Sequence, residues 1–227
     1  MAMTSEVRAR LRGLYAVTPE MEDTALLLAR VEECIAGGAA LVQYRAKRAA
    51  PALALEQAKR LASACRARGV LLIVNDSVEL AAAADADGVH LGRDDLDARH
   101  ARAALPGKII GVSCYDDPRL ARAAASAGAD YVAIGSVFAS GTKPHAARAS
   151  LENLAHARAG SGLPVAAIGG ITLDNAARVV AAGADMLAVV AALFGSADIH
   201  GAARAFARIF DGPASPSPHV RAQQRAL

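Results

Sequence analysis

The chain has 227 residues, a formal net charge of +3 and a hydrophobic share of 54%, ample for one large core, with a charge that does not by itself point to nucleic acid. Trp is absent and Phe and Tyr number four each, which excludes an aromatic surface for stacking bases. The three cysteines, Cys34, Cys65 and Cys114, match no finger or redox spacing, no leader segment is evident, and no uninterrupted apolar run nears the ~18 residues of a membrane span, so a cytoplasmic protein with reduced thiols is expected.

In chain order, residues 14–17 form the first short apolar run, and a helical stretch follows in which Leu27, Val31, Cys34 and Ile35 share a face. Residues 41–44 form the second run, before a helix that aligns Ala54, Ala58, Leu61, Ala62 and Cys65. Further runs stand at 70–74, 88–91, 109–112, 131–134, 165–168 and 186–190, with Ala- and Arg-rich helical stretches at 118–127 and 174–182. Such nearly continuous apolar runs suit parallel strands covered on both faces.

A weak repeat marks the returns from helix to strand. Ala-Gly-Ala-Asp occurs at 127–130 and 182–185, and residues 37–40 and 84–87 occupy equivalent places. A glycine there ends a helix in the left-handed conformation, and small neighbours let the next strand start close beneath it. Eight strands alternating with helices predict an α/β fold, a single (β/α)₈ TIM barrel spanning residues 1–211. A doubly wound open sheet is the rival, but no Gly-x-Gly-x-x-Gly opens the first helix. Residues 212–227, with Pro213, Pro216 and Pro218, are expected to be a disordered tail.

In such a barrel the chemistry belongs to the loops after the strands. After the second strand, alternation puts Gln43, Arg45 and Lys47 on one side, two cations and an amide suited to a diphosphate. Asn75 and Asp76 follow the third strand, and Asp95 follows the fourth. Two carboxylates beside phosphate ligands suit Mg²⁺, although either Asp is also a candidate helix cap. His90 lies inside its strand and reads as packed and hydrogen-bonded. Ser113 has no His or Asp partner in the sequence pattern to make it a nucleophile. The connection 135–149 is long and carries Ser140, Gly141, Thr142 and Lys143, as a phosphate-contacting lid would. Gly169-Gly170-Ile171-Thr172 and Val190-Ala191-Ala192 follow the last two strands, where this fold commonly binds phosphate; Thr172 is placed to cap a helix.

Together these residues resemble the thiamine phosphate synthase family. The likeness runs from Leu14-Tyr15-Ala16-Val17-Thr18 to Phe194 and includes the Gln-x-Arg-x-Lys pattern at 43–47, Asn75-Asp76, Gly88-Val89-His90-Leu91-Gly92 with Asp95, Gly111-Val112-Ser113, Thr142-Lys143 and Ile168 to Thr172. The resemblance implies a transferase that joins hydroxymethylpyrimidine diphosphate to a thiazole phosphate, releasing pyrophosphate. By the same resemblance, Arg45, Lys47, Asn75, Ser113 and Lys143 would hold the diphosphate substrate, with Gln43, Tyr44 and Ala46 beside them. Arg45, Lys47, Ser113 and Lys143 would be its catalytic members. Asp76 and Asp95 would hold Mg²⁺, and Ser140, Gly141, Thr142, Gly170, Val190 and Ala191 would surround the thiazole phosphate.

Three positions depart from the family pattern: Ala46 replaces a common Glu, Arg93 a common Gln, and Ala191 a frequent Ser whose hydroxyl would contact phosphate. The expected partners are small-molecule substrates, with no nucleic acid and no membrane; a homo-oligomer is left open. The rival functions are a thiazole tautomerase-like isomerase on the same fold, a Schiff-base aldolase using Lys47 or Lys143, and a barrel that only binds phosphorylated ligands.

Overall fold

The computed structural model describes residues 5–92, 95, 97–139 and 148–211. Its eight strands are β1 (Gly13–Val17), β2 (Leu41–Tyr44), β3 (Leu71–Asn75), β4 (Gly88–Leu91), β5 (Ile109–Tyr115), β6 (Tyr131–Gly135), β7 (Val165–Ile168) and β8 (Met186–Val189). They close in sequence order into one barrel, and every neighbouring pair, β8 to β1 included, is parallel. The expected barrel is therefore the observed one. The expected tail, 212–227, lies outside the described residues.

Helices α1 (Ser5–Ala9), α2 (Thr24–Ala36), α3 (Pro51–Ala67), α4 (Val78–Ala83), α5 (Ala98–Ala104), α6 (Arg119–Ser126), α7 (Glu152–Ser161), α8 (Leu173–Ala181), α9 (Ala191–Phe194) and α10 (Ile199–Arg208) complete the described elements. The buried face of α2 consists of Leu27, Val31, Cys34 and Ile35, the set its spacing predicts. On α3 the anticipated apolar face is buried, but Gln57 is buried with it. Gln57 Oε1 accepts from Tyr44 Oη at 2.8 Å, and Nε2 donates to Met21 O at 3.0 Å. A fully buried leucine such as Leu61 or Leu72 contributes about 1.5–3 kcal/mol.

The barrel interior is a separate apolar cluster that includes Leu41, Leu71, Ile73, Ile109, Ala166 and Met186. Val7 and Leu11 pack against it from the N-terminal side. It is solid at that end, so a ligand reaches the interior from the other rim.

The helix-to-strand repeat has a common geometry. Ala39, Ala86, Ala129 and Ala184 each donate a backbone N–H to a carbonyl five residues earlier, closing a Schellman-type cap. The residue before each has positive φ: Gly38 (100°), Asp85 (49°), Gly128 (94°) and Gly183 (109°). The aspartate that ends three of the repeats clamps the neighbouring strand. Asp87, Asp130 and Asp185 accept from the N–H groups of Leu72, Ile110 and Val165 at 2.8, 2.8 and 2.9 Å.

Candidate active site

The C-terminal rim opens into a cleft of about 1110 Å³, ample for two small molecules. Its walls carry Thr18, Gln43, Arg45, Asn75, His90 and Ser113, with Ala133, Ala166, Ile168 and Ala188 as an apolar floor. Strand alternation explains this set, because interior-facing residues at strand ends are the ones that look out of the barrel mouth.

The β2–α3 loop is held from β1. Arg45 N donates to Thr18 Oγ1 at 2.9 Å, and Lys47 N donates to Glu20 Oε1 at 2.8 Å. Arg45 reaches to 3.7 Å from Glu20 Oε1 and presents a partly buried cation to the cleft. Lys47 instead pairs with Asp76 Oδ2 at 2.9 Å. The sequence reading missed Thr18 and Glu20 as supports; a hydroxyl and a carboxylate immediately after a buried strand were the available clue.

Tyr44 and Ala46 are turned differently from their neighbours in the motif. The Tyr44 ring is buried in the layer between barrel and helices, where it bonds Gln57, and Ala46 packs on the same layer. Neither side chain faces the cleft: the alternation that turns Gln43 inward turns Tyr44 outward.

Asp76 sits at φ 67°, and its side chain is hydrogen-bonded to Asp95. Neither caps a helix: Ser77 caps α4 and Asp97 caps α5. Asp95 Oδ2 also accepts from Gly92 N at 2.5 Å. Burial pushes the Asp95 carboxyl above its ordinary range, the hydrogen bond and charge of Asp76 act in the same direction, and Gly92 and Lys47 oppose them. Two adjoining carboxylates are a donor set that a divalent cation fits. Among the described residues no cluster of three or more His, Cys, Asp or Glu exists, so such a cation would complete its shell with water and substrate oxygens, as Mg²⁺ does.

His90 is packed and hydrogen-bonded, as expected, yet it also lines the cleft. Its Nε2 lies 2.9 Å from Ser113 Oγ. Tyr115, also at the cleft wall, adopts φ 54° beyond the irregularity that shifts β5 against β6; it was not anticipated.

On the opposite wall, Gly169 and Gly170 have φ values of 103° and 61°. A Cβ on Gly170 would stand 2.2 Å from Ala139 O, so only glycine lets the β6 and β7 loops meet here. Phe138 N donates to Gly169 O at 3.0 Å and Ala149 N to Ser136 O at 2.9 Å, anchoring both ends of the long connection. Its central residues, including the expected ligands Ser140, Gly141, Thr142 and Lys143, lie outside the described residues. Thr172 caps α8, with Asn175 Oδ1 accepting from Thr172 N at 3.0 Å. Val190 and Ala191, where α9 begins, also line the cleft.

Residues 14–193 match the family model described as thiamine monophosphate synthase. The thiamine-phosphate synthase of Aromatoleum aromaticum is 55% identical over 203 residues, covering 89% of this chain and 98% of the relative. That of Bordetella pertussis is 50% identical over 205 residues, covering 87% and 94%. Among solved structures, the thiamine phosphate pyrophosphorylase from Pyrococcus furiosus superposes with a TM-score of 0.81 at 36% identity, covering 90% of this chain and 98% of that one. A 3-hexulose-6-phosphate synthase, with a TM-score of 0.66 at 19% identity, shares the fold.

Proposed function

Because the chain belongs to the thiamine monophosphate synthase family, we propose that its C-terminal cleft joins a hydroxymethylpyrimidine diphosphate to a thiazole phosphate. It is a transferase that forms thiamine phosphate and pyrophosphate. The observation that carries the site reading is the convergence of Arg45, Asn75, His90 and Ser113 on one cleft, with Asp76 and Asp95 paired at its rim.

The bond between the pyrimidine's methylene carbon and the diphosphate oxygen must break, its electron pair leaving with pyrophosphate. The electron-rich aminopyrimidine spreads the positive charge left behind, and the thiazole nitrogen then forms the new C–N bond. Arg45 holds the departing diphosphate, and Ser113 donates to one of its oxygens; both strengthen as negative charge grows. Asn75 supplies a further amide contact. Lys47 stands at the same rim and orients Asp76 through their ion pair. Asp76 and Asp95 would hold Mg²⁺, whose charge, when bound, would offset that of the diphosphate. The floor of Ala133, Ala166, Ile168 and Ala188 gives the rings an apolar bed that excludes water from the carbon centre. Gly170, Val190 and Ala191 offer backbone N–H groups to the thiazole phosphate, with Ser140, Gly141 and Thr142 as its further contacts, and Lys143 is assigned to the diphosphate.

A Schiff-base role for Lys47 is disfavoured, since its ammonium is half exposed and bonded to Asp76 instead of lying in an apolar pocket. Incubating the purified enzyme with both substrates and Mg²⁺ tests the proposal. Equal amounts of pyrophosphate and thiamine phosphate, lost on chelation, are expected; neither product, with controls working, would overturn it.

A further inference from the structure

A chain of five polar side chains crosses the barrel interior at the floor of the cleft. Gln43 Nε2 donates to Tyr15 Oη at 2.9 Å. Tyr15 Oη lies 2.8 Å from Tyr131 Oη, which is 2.9 Å from His90 Nδ1. His90 Nε2 then meets Ser113 Oγ at 2.9 Å. The five come from β2, β1, β6, β4 and β5, so the chain ties together strands from much of the barrel wall. Both phenols are fully buried. The arrangement is built into the backbone: a Cβ on Gly111 would fall 2.1 Å from Tyr131 Cζ.

Counting protons gives the chain a direction. Burial, first of all, pushes both phenols well above the ordinary tyrosine range, so each keeps its one proton. Tyr15 Oη already accepts from Gln43 and has one remaining partner for its own proton, Tyr131 Oη. Tyr131 therefore spends its proton on His90 Nδ1. A neutral imidazole that accepts at Nδ1 carries its proton on Nε2, and that N–H is aimed at Ser113 Oγ. Ser113 accepts from within, and its own proton is left for the cleft.

We propose that Tyr15, Tyr131 and His90 form a one-way hydrogen-bond relay from Gln43 that holds Ser113 as a hydrogen-bond donor toward the bound diphosphate. Tyr15 and Tyr131 are positioning residues, acting through His90 without touching the phosphate. The consequence for the reaction rests on the reading of Ser113 as a diphosphate contact. The reverse polarity, with the Gln43 amide turned over, would put the proton on His90 Nδ1 and make Ser113 donate inward.

The tautomer decides between them. Nitrogen NMR of the histidine-labelled enzyme, with His90 assigned by comparison with His90→Gln, should find the proton on Nε2 near neutral pH. A proton on Nδ1, or an imidazolium, would overturn the relay, and this measurement needs no variant beyond the assignment. Tyr131→Phe should leave a mixture of tautomers and lower kcat/KM for the pyrimidine diphosphate about tenfold, with KM for the thiazole phosphate unchanged. Combined with Ser113→Ala it should cause no further loss, because the two changes remove one donor; losses that multiply would contradict the proposal. Ser113→Ala alone with full activity would instead remove the reading of Ser113 as a substrate contact, whatever the tautomer.

Discussion

The two rims of the barrel use polar residues in opposite ways. At the N-terminal rim, Asp87, Asp130 and Asp185 each accept from the backbone of a neighbouring strand, and Asp130 also pairs with Arg102 at 2.5 Å. Those carboxylates are satisfied from inside the protein, so they lock strand to strand. At the C-terminal rim, Arg45 and Ser113 are supported from behind by Thr18, Glu20 and His90 while presenting a face, with Asn75, to an open cleft. Asp76 and Tyr115 there take φ values of 67° and 54°, but Asp85 at the other rim takes 49°, so backbone strain is common to both rims and the contrast lies in the partners. The contrast separates stability from chemistry within one sheet: a polar group with all its partners internal stabilises the barrel, and one held with a face to spare can bind.

The largest expected effect falls on the cleft. Arg45→Ala should reduce kcat/KM by about 10²–10³-fold, the loss typical of a preorganised charge contact, while the unfolding midpoint hardly moves. A variant that unfolds early and retains its turnover would erase the distinction between the rims. The mirror experiment is Asp130→Ala, which leaves the Ile110 N–H and Arg102 without their carboxylate. Urea unfolding should show a loss of about 2–4 kcal/mol, with kcat/KM of the folded enzyme preserved.

Asp95→Asn should lower kcat/KM about 10- to 100-fold and raise the Mg²⁺ concentration needed for half-maximal rate. An unchanged Mg²⁺ titration would remove the metal assignment. Ala191→Ser should lower KM for the thiazole phosphate by a few fold, about one added hydrogen bond. No fall would mean that the backbone alone suffices at that end of the cleft. The smallest change is expected at the thiols. Burial pushes Cys34, Cys65 and Cys114 each up to about 12, so a thiol reagent at pH 8 should label them only on unfolding.

Much of the fold was legible because it rests on periodicity: all eight strands, the α2 face and the left-handed helix ends are local patterns. The cleft was legible where a charged or amide residue directly follows an apolar run, as at Arg45 and Asn75, or interrupts its end, as at Gln43. What escaped detection depends on partners distant in sequence. Tyr15 and Tyr131 read as apolar strand residues, yet their hydroxyls meet across 116 positions. Gln57 carries no local signal of burial, since its partner Tyr44 lies on the preceding strand. The repeat was visible, but the work of its aspartates was not, since each clamps a strand at least 15 positions away. Tyr44 belongs to the same motif as Gln43 and Arg45, yet strand alternation turns its ring to the helix layer, where it bonds Gln57.

The division between the rims can be tested directly by a crystal structure of the enzyme with Mg²⁺, pyrophosphate and thiamine phosphate. Pyrophosphate should lie within hydrogen-bond reach of Arg45 and Ser113, with the metal on Asp76 and Asp95. Pyrophosphate bound instead in the open depression of the opposite rim, beside Arg10, Arg12 and Arg68, with the C-terminal cleft empty, would contradict the account.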